Sequence, residues 1–209
     1  MNPRIDFDPD ALAWSKGDGL LPAIIQHWRN GEVLMLGYMT REALQRTLDT
    51  GRVTFWSRSR QSLWIKGETS GHWLTLKAIH ADCDADTLLV QADPEGPTCH
   101  QGTRTCFGKA TEPALAFLGR LDELIEARER ERPEGSYTTH LFESGPRRIA
   151  QKVGEEGVET ALAAVAQDGD ALLDESADLV YHLLVLLRAR NLGLTDVAKR
   201  LRERHNTDT

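Results

Sequence analysis

The spacing of apolar residues changes once along this chain, near residue 108. Before that point come short runs rich in Val, Ile, Thr and Trp: GEVLMLGYM (31–39), RVTFWS (52–57), LWIKGET (63–69), HWLTLKAIH (72–80) and TLLVQAD (87–93). Turns such as DTGR and TSGH separate them, and runs of this kind bounded by turn residues predict strands. One helix interrupts the series, with Thr40 as N-cap, REALQRTLDT behind it and Gly51 as its stop. After residue 108 the apolar positions recur at three and four. The segments are EPALAFLGRLDELIEARERER (112–132), SGPRRIAQKVGEEGVETALAAVAQ (144–167), DALLDESADLVYHLLVLLRARNLG (170–193) and LTDVAKRLRERH (194–205). This period predicts four helices joined by short loops. The pattern therefore predicts an α+β N-terminal domain, β-rich with one helix, followed by an all-α helical bundle. The boundary falls in CFGKATEPA (106–114), dividing the chain into domains 1–110 and 111–209. The halves differ in kind, so the chain reads as a fusion rather than a duplication.

Composition narrows the function. Hydrophobic residues make up 40% and charged residues 27%, an ordinary soluble globular balance. A formal net charge of −7 excludes the basic footprint of a nucleic-acid binder. It does not exclude phosphate substrates, because a divalent cation bridges acidic side chains to phosphate oxygens. The N-terminus lacks a basic stretch followed by an apolar one, and the longest apolar run, LVYHLLVLL, is broken by His182. Such a run is too short to span a bilayer. The expectation is a cytoplasmic protein with no membrane contact. There, three cysteines point to metal binding or catalysis before disulfides.

Those cysteines and a triple aspartate fall close together. In DCDAD, a strand would put Asp82, Asp84 and Asp86 on one face and Cys83 on the other. Like charges at this spacing repel unless water or a cation intervenes; oxygen clusters suit Mg²⁺ and thiolates suit Zn²⁺. Cys83, Cys99 and Cys106 follow a C-x15-C-x6-C spacing. Three thiolates leave a tetrahedral zinc one position open, as a catalytic zinc requires for its water. With His100 as a fourth ligand the site would instead be closed and structural. In the open case His100 is the first candidate base and His72 the second. Taken singly, the cysteines also fit a buried core and the aspartates a solvated turn. Upstream, FWSRSRQSLWIKGETSGH supplies Arg58, Arg60 and Lys66 with the hydroxyls of Thr69 and Ser70, a set suited to phosphate oxygens. Trp56 and Trp64 are candidates to line a base pocket, or to pack the sheet.

FWSRSRQSLWIKGETSGH, DCDAD and CHQGTRTCF closely resemble phosphoribosyl-AMP cyclohydrolase of histidine biosynthesis, over about residues 15–107. The resemblance implies hydrolytic opening of an adenine ring between N1 and C6. It implies zinc on Cys83, Cys99 and Cys106, and Mg²⁺ on Asp82, Asp84 and Asp86. It also implies a homodimer whose zinc thiolates come from both chains. The chemistry is consistent, since C6 of a purine is an electrophile open to an activated water; the deaminase signature H-x-E…P-C-x-x-C is absent.

The helical half carries a second acidic set. Glu156 and Glu159 lie three apart and share a helix face, as do Glu175 and Asp178. Measured from the turn at DGD, Glu159 and Asp178 both stand about 12–14 Å along their helices. In an antiparallel hairpin they are level, and four inward carboxylates call for Mg²⁺. Ordinary surface acids are the alternative. This half, about residues 112–205, resembles phosphoribosyl-ATP pyrophosphohydrolase, whose E-E-x-x-E…E-x-x-D pattern matches Glu155, Glu156, Glu159, Glu175 and Asp178. The resemblance implies an all-α, Mg²⁺-dependent domain that releases pyrophosphate from phosphoribosyl-ATP. Lys152, and more remotely Arg147 and Arg148, are candidates to meet phosphate, and Glu156 and Glu159 to act on the water. Gly135–Gly145 resembles the family's loop before the second helix. The two products connect: cleavage in the C-terminal half makes the substrate that the N-terminal half opens.

Overall fold

The structure is a computed structural model and describes residues 4–108 and 115–205. The chain forms two compact units, Met1–Phe117 and Leu118–Thr209.

The first unit contains β1 (Arg4–Ile5), β2 (Leu21–His27), β3 (Val33–Met39), α1 (Arg41–Thr50), β4 (Thr54–Ser57), β5 (Ser62–Ile65), β6 (Leu74–Ala81) and β7 (Leu88–Pro94). Five strands make one sheet in the order β1-β6-β7-β2-β3, while β4 and β5 pair as a separate hairpin. The pairing is mixed: β2 runs antiparallel to β3 and parallel to β7, and β6 runs antiparallel to β7. Alternation decides the core face. Leu21, Ala23, Ile25 and His27 point inward along β2, and Leu88, Val90 and Ala92 along β7. With Phe55, Leu34, Met39, Leu44 and Ile79 the apolar ones among them form a single cluster. β2 was not among the predicted strands. It carries Pro22, which has no amide to donate to a ladder. Pro22 is tolerated because the β7 ladder begins one residue later, at Ala23↔Leu88.

α1 matches its prediction. Thr40 caps it by accepting from the Ala43 amide at 3.1 Å, and Gly51 stops it in a left-handed conformation (φ 66°). Buried Thr47 then ties the helix to β4. Its hydroxyl donates to the Ala43 carbonyl at 2.8 Å and accepts from the Thr54 amide at 2.9 Å.

The second unit is helical: α2 (Ala116–Glu131), α3 (Tyr137–Ala166), α4 (Gly169–Arg188) and α5 (Leu194–His205). Residues 112–114 of the predicted first helix lie outside the described residues, as does much of the predicted boundary. Gly135–Gly145 is not a loop as expected. Ser136 caps α3 by accepting from the Thr139 amide at 3.4 Å, and helix begins at Tyr137. The start escaped notice because Gly145 (φ 82°) interrupts the helix just before Pro146, and a Gly-Pro pair reads as a helix boundary. Asp168 caps α4, and the two long helices pack closely as a hairpin. Ile125, Leu141, Phe142, Ile149, Leu184 and Val185 form this unit's core. Among the described residues, no helix is long and apolar enough to cross a membrane.

Candidate functional sites

In the first unit the loops after β5 and β7 enclose a cavity of about 440 Å³. Small-molecule sites commonly fall in the range ~300–1,000 Å³. Arg60, Trp64, Lys66, Thr69, Ser70, His72, Cys99, His100 and Cys106 line it. Two glycines let its walls close up. A Cβ on Gly67 (φ 94°) would lie 2.6 Å from the His72 backbone, and one on Gly96 (φ 105°) 2.8 Å from the His72 ring. His72 is thus wedged into the wall, while His100 is exposed at the rim with Nδ1 3.9 Å from Cys99 Sγ. Arg58 is not part of the lining; its guanidinium stacks 3.9 Å above the Tyr38 ring. Trp56 is also outside it, whereas Trp64 packs at 5.0 Å on Phe55.

Cys99 and Cys106 approach each other and polarise differently. The Gln101 amide, 3.5 Å from Cys99 Sγ, and the Thr103 hydroxyl lower the Cys99 thiol below its usual range. Burial and the neighbouring Cys99 raise Cys106. Burial lowers Lys66, and the two sulfurs oppose that by attraction. A sulfur pair beside imidazole suits a soft cation such as zinc. Cys83 is exposed, and among the described residues no group of three convergent ligands contains a sulfur. One chain therefore brings together two of the three cysteines.

Asp82, Asp84 and Asp86 do converge, with one ligand oxygen from each within 4.8 Å of the others. They sit in the β6–β7 turn, not on a strand as expected. The reversal is tight: Asp82 Oδ1 accepts from the Asp86 amide at 2.9 Å and the Thr87 amide at 3.1 Å, and Ala85 takes a positive φ of 61°. Alternation on a strand would have shared out the faces; a turn gathers the acids by curling round Asp82. Lys16, distant in sequence and missed there, pairs with Asp84 and reaches Asp86 at 3.1 Å. These contacts raise Lys16 and hold the Asp84 carboxyl below the usual range. Exposed oxygens concentrated in one turn have the chemistry of a hard-cation site.

In the second unit Glu156, Glu175 and Asp178 each offer an oxygen within 4.8 Å of the others, across the α3–α4 hairpin. Glu156 is buried, Glu175 half-buried and Asp178 exposed. Lys152 Nζ lies 2.7 Å from Glu156 Oε1 and 3.1 Å from Glu155 Oε2. That contact lowers Glu156 and raises Lys152, while Glu159, hydrogen-bonded to Glu156, is raised by it. Arg148 approaches Glu155 at 3.7 Å. His182, which the sequence reading saw only as a break in an apolar run, is buried at the base of this group. Its Nδ1 stands 3.6 Å from Glu156 Oε1. The signal was available in principle: it lies four residues after Asp178, on the same helix face.

Two family models match, in chain order. Residues 35–108 match phosphoribosyl-AMP cyclohydrolase, and residues 118–205 match phosphoribosyl-ATP pyrophosphohydrolase. The histidine biosynthesis bifunctional protein HisIE of Xanthomonas axonopodis pv. citri is 65% identical over 199 residues, 95% of each chain. Its Salmonella typhimurium counterpart is 58% identical over 194 residues, covering 93% of this chain and 95% of the relative. That of Vibrio cholerae is 56% identical over 209 residues, 98% of this chain and all of the relative. A similarity this high along nearly the whole length, with both halves matched in order, means that the chain belongs to the family of bifunctional histidine-biosynthesis proteins that join phosphoribosyl-AMP cyclohydrolase to phosphoribosyl-ATP pyrophosphohydrolase.

Proposed function

We infer that the chain catalyses two consecutive hydrolyses of histidine biosynthesis. The C-terminal half cleaves phosphoribosyl-ATP to phosphoribosyl-AMP and pyrophosphate. The N-terminal half then opens the adenine ring of phosphoribosyl-AMP between N1 and C6. We assign these steps to residues 111–209 and 1–110. The observation that carries the reading is that each half has its own site of matching chemistry: a sulfur-bearing cavity in one, a carboxylate group across a helix hairpin in the other.

In the N-terminal half, Cys99 and Cys106 with Cys83 of a second copy would hold Zn²⁺, making the working form a homodimer. The separation of Cys83 from the other two sulfurs supports that division. Bound there, zinc would lower the pKa of its water, less far than the ~7 of other catalytic sites because three thiolates donate negative charge to it, which leaves work for a nearby base. Asp82, Asp84 and Asp86 would hold Mg²⁺, with Lys16 giving way. Arg60, Lys66, Thr69 and Ser70 bind the substrate's phosphate oxygens, and Trp64 offers its ring to the base. His100 takes up the proton of the attacking water. His72, fixed by the two glycines, shapes the wall, and Arg58 meets phosphate from outside the cavity.

In the C-terminal half, Glu156, Glu159, Glu175 and Asp178 would hold Mg²⁺, which neutralises charge developing on the phosphoanhydride. Glu159, whose carboxyl is held above the usual range, orients and deprotonates the attacking water. Lys152 neutralises Glu156 and reaches phosphate. The test is sequential: purified protein with measured Zn content receives phosphoribosyl-ATP and Mg²⁺. Pyrophosphate should appear first, followed by the absorbance change of ring opening. Pyrophosphate without ring opening in zinc-replete dimeric protein would overturn the assignment of the N-terminal half, and comparable cleavage of ordinary deoxynucleoside triphosphates would overturn the substrate assignment.

A further inference from the structure

His182 is an imidazole that the reaction chemistry above leaves without a role, yet it is only 4% exposed and held on both nitrogens. Nδ1 lies 2.9 Å from the Asp178 carbonyl oxygen, and Nε2 lies 3.0 Å from the Tyr137 hydroxyl. A carbonyl oxygen only accepts, so Nδ1 carries the proton and Nε2 accepts from the phenol. The Tyr137 and Tyr181 rings meet the imidazole edge-on at 6.0 and 5.2 Å, and Tyr181 is itself tied to Thr138 by a 2.8 Å hydroxyl contact. Ring plane and tautomer are therefore both set.

The orientation matters because of what the protonated nitrogen faces. Besides the Asp178 carbonyl it faces Glu156 Oε1 at 3.6 Å, the same oxygen that Lys152 contacts at 2.7 Å. Lys152 donates to this oxygen, and the imidazole edge stands against it at 3.6 Å, longer than a hydrogen bond, so that one oxygen of a buried carboxylate is confined from two sides and the direction of the other is fixed. Glu156 and Asp178 are two of the three convergent ligands of the hairpin site. An apolar side chain at this buried position would need no partners; a buried imidazole needs them. Outer groups of this kind orient carboxylates, and their loss typically costs about 10–100-fold in metal affinity or activity.

We propose that His182 is a positioning residue of the pyrophosphohydrolase site. It holds the Asp178 carbonyl through its Nδ1–H and confines Glu156 by the close approach of its ring, and Tyr137 locks it in the required tautomer. The proposal rests on the reading of the hairpin carboxylates as a Mg²⁺ site.

The test uses full-length chain. Mn²⁺ binding is read by electron paramagnetic resonance in an Asp84→Asn background that disables the other acidic group. The kcat and KM for pyrophosphate release are measured separately in chains with Asp84 intact. His182→Leu should weaken Mn²⁺ binding about 10-fold and lower kcat about 10–100-fold. KM for phosphoribosyl-ATP should change little. His182→Asn, which keeps a donor near the Nδ1 position, should recover most of both. Tyr137→Phe, which removes only the tether, should give a smaller loss in the same direction. Unchanged Mn²⁺ affinity and kcat in a folded His182→Leu and in Tyr137→Phe would overturn the proposal. So would equal impairment of Asn and Leu variants that melt like the parent, since shape alone would then explain the effect. Glu175→Gln separates the two layers: if it too leaves Mn²⁺ binding untouched, the metal reading has failed; if it abolishes binding while the His182 variants do not, only the positioning role has.

Discussion

Acidification should destabilise the N-terminal unit through one buried histidine. His27 ends β2, is 4% exposed, and accepts a hydrogen bond from the Arg29 amide on Nδ1 at 3.2 Å. Burial, with Arg104 and Arg29 nearby, pushes it down to about 4 from the ordinary 6.5, against the pull of Asp93. The unfolded chain therefore takes up a proton on this side chain before the folded one does. Stability from His27 is complete above pH ~6.5, falls as pH drops through the window from 6.5 to 4, and is lost below it. Across the whole window the loss approaches ~3 kcal/mol, and between pH 7 and pH 5 it amounts to about 2 kcal/mol. The consequence reaches the cavity. The Glu32 carbonyl accepts from the His27 amide at 2.7 Å, and the Glu32 carboxylate pairs with Arg104 in the loop that carries Cys99 and Cys106. All five tryptophans lie in the first half of the chain, so urea unfolding followed by tryptophan fluorescence reports this unit. Wild type should be compared with His27→Asn, whose side-chain oxygen replaces the Nδ1 acceptor without titrating there. Other titrating groups are common to both and cancel. Wild type should lose about 2 kcal/mol more than the variant between pH 7 and 5. Equal losses, or an NMR titration of His27 near 6.5, would refute the reasoning.

Four further outcomes are expected. Gly37→Ala places a methyl 2.3 Å from the fully buried Phe55 ring, so urea denaturation should register a loss of about 1–3 kcal/mol, the usual cost of overpacking. Cys99→Ala should lose bound zinc and ring opening while pyrophosphate release persists, as read by metal analysis beside both activity assays. Glu159→Gln should do the reverse, slowing pyrophosphate release by ~100-fold or more, as loss of a positioned base does, with ring opening of added phosphoribosyl-AMP unaffected. His100→Ala should slow ring opening ~100-fold with zinc retained; loss of zinc in that variant would make His100 a ligand instead.

Local pattern sufficed where the determinant is local. The Thr40 cap and Gly51 stop of α1 are a few residues apart, and the three-and-four periodicity of α4 and α5 needs no partner to be visible. Counting residues to one turn set Glu159 level with Asp178, because helix rise is constant; the oxygens that converge across the hairpin are those of Glu156, Glu175 and Asp178, a choice made by how the helices rotate against each other. The start of α3 was hidden because Gly145 and Pro146 imitate a boundary, and β2 because Pro22 imitates a break.

Sequence by itself determined the class of each half, the residue types at each site and the family to which they point. Only the tertiary structure decided which of those residues meet. Lys16 reaches Asp84 and Asp86 because strand pairing brings together segments about seventy residues apart. Cys99 and Cys106 meet and Cys83 does not, because a tight turn beyond β6 holds Cys83 among the aspartates. His182 becomes part of the acidic site because α3 packs on α4 and buries its ring between Tyr137 and Glu156. Secondary structure depends on neighbours in sequence, but hydrogen bonding and charge pairing fall off within a few ångströms in space, so only the packed chain selects the partners.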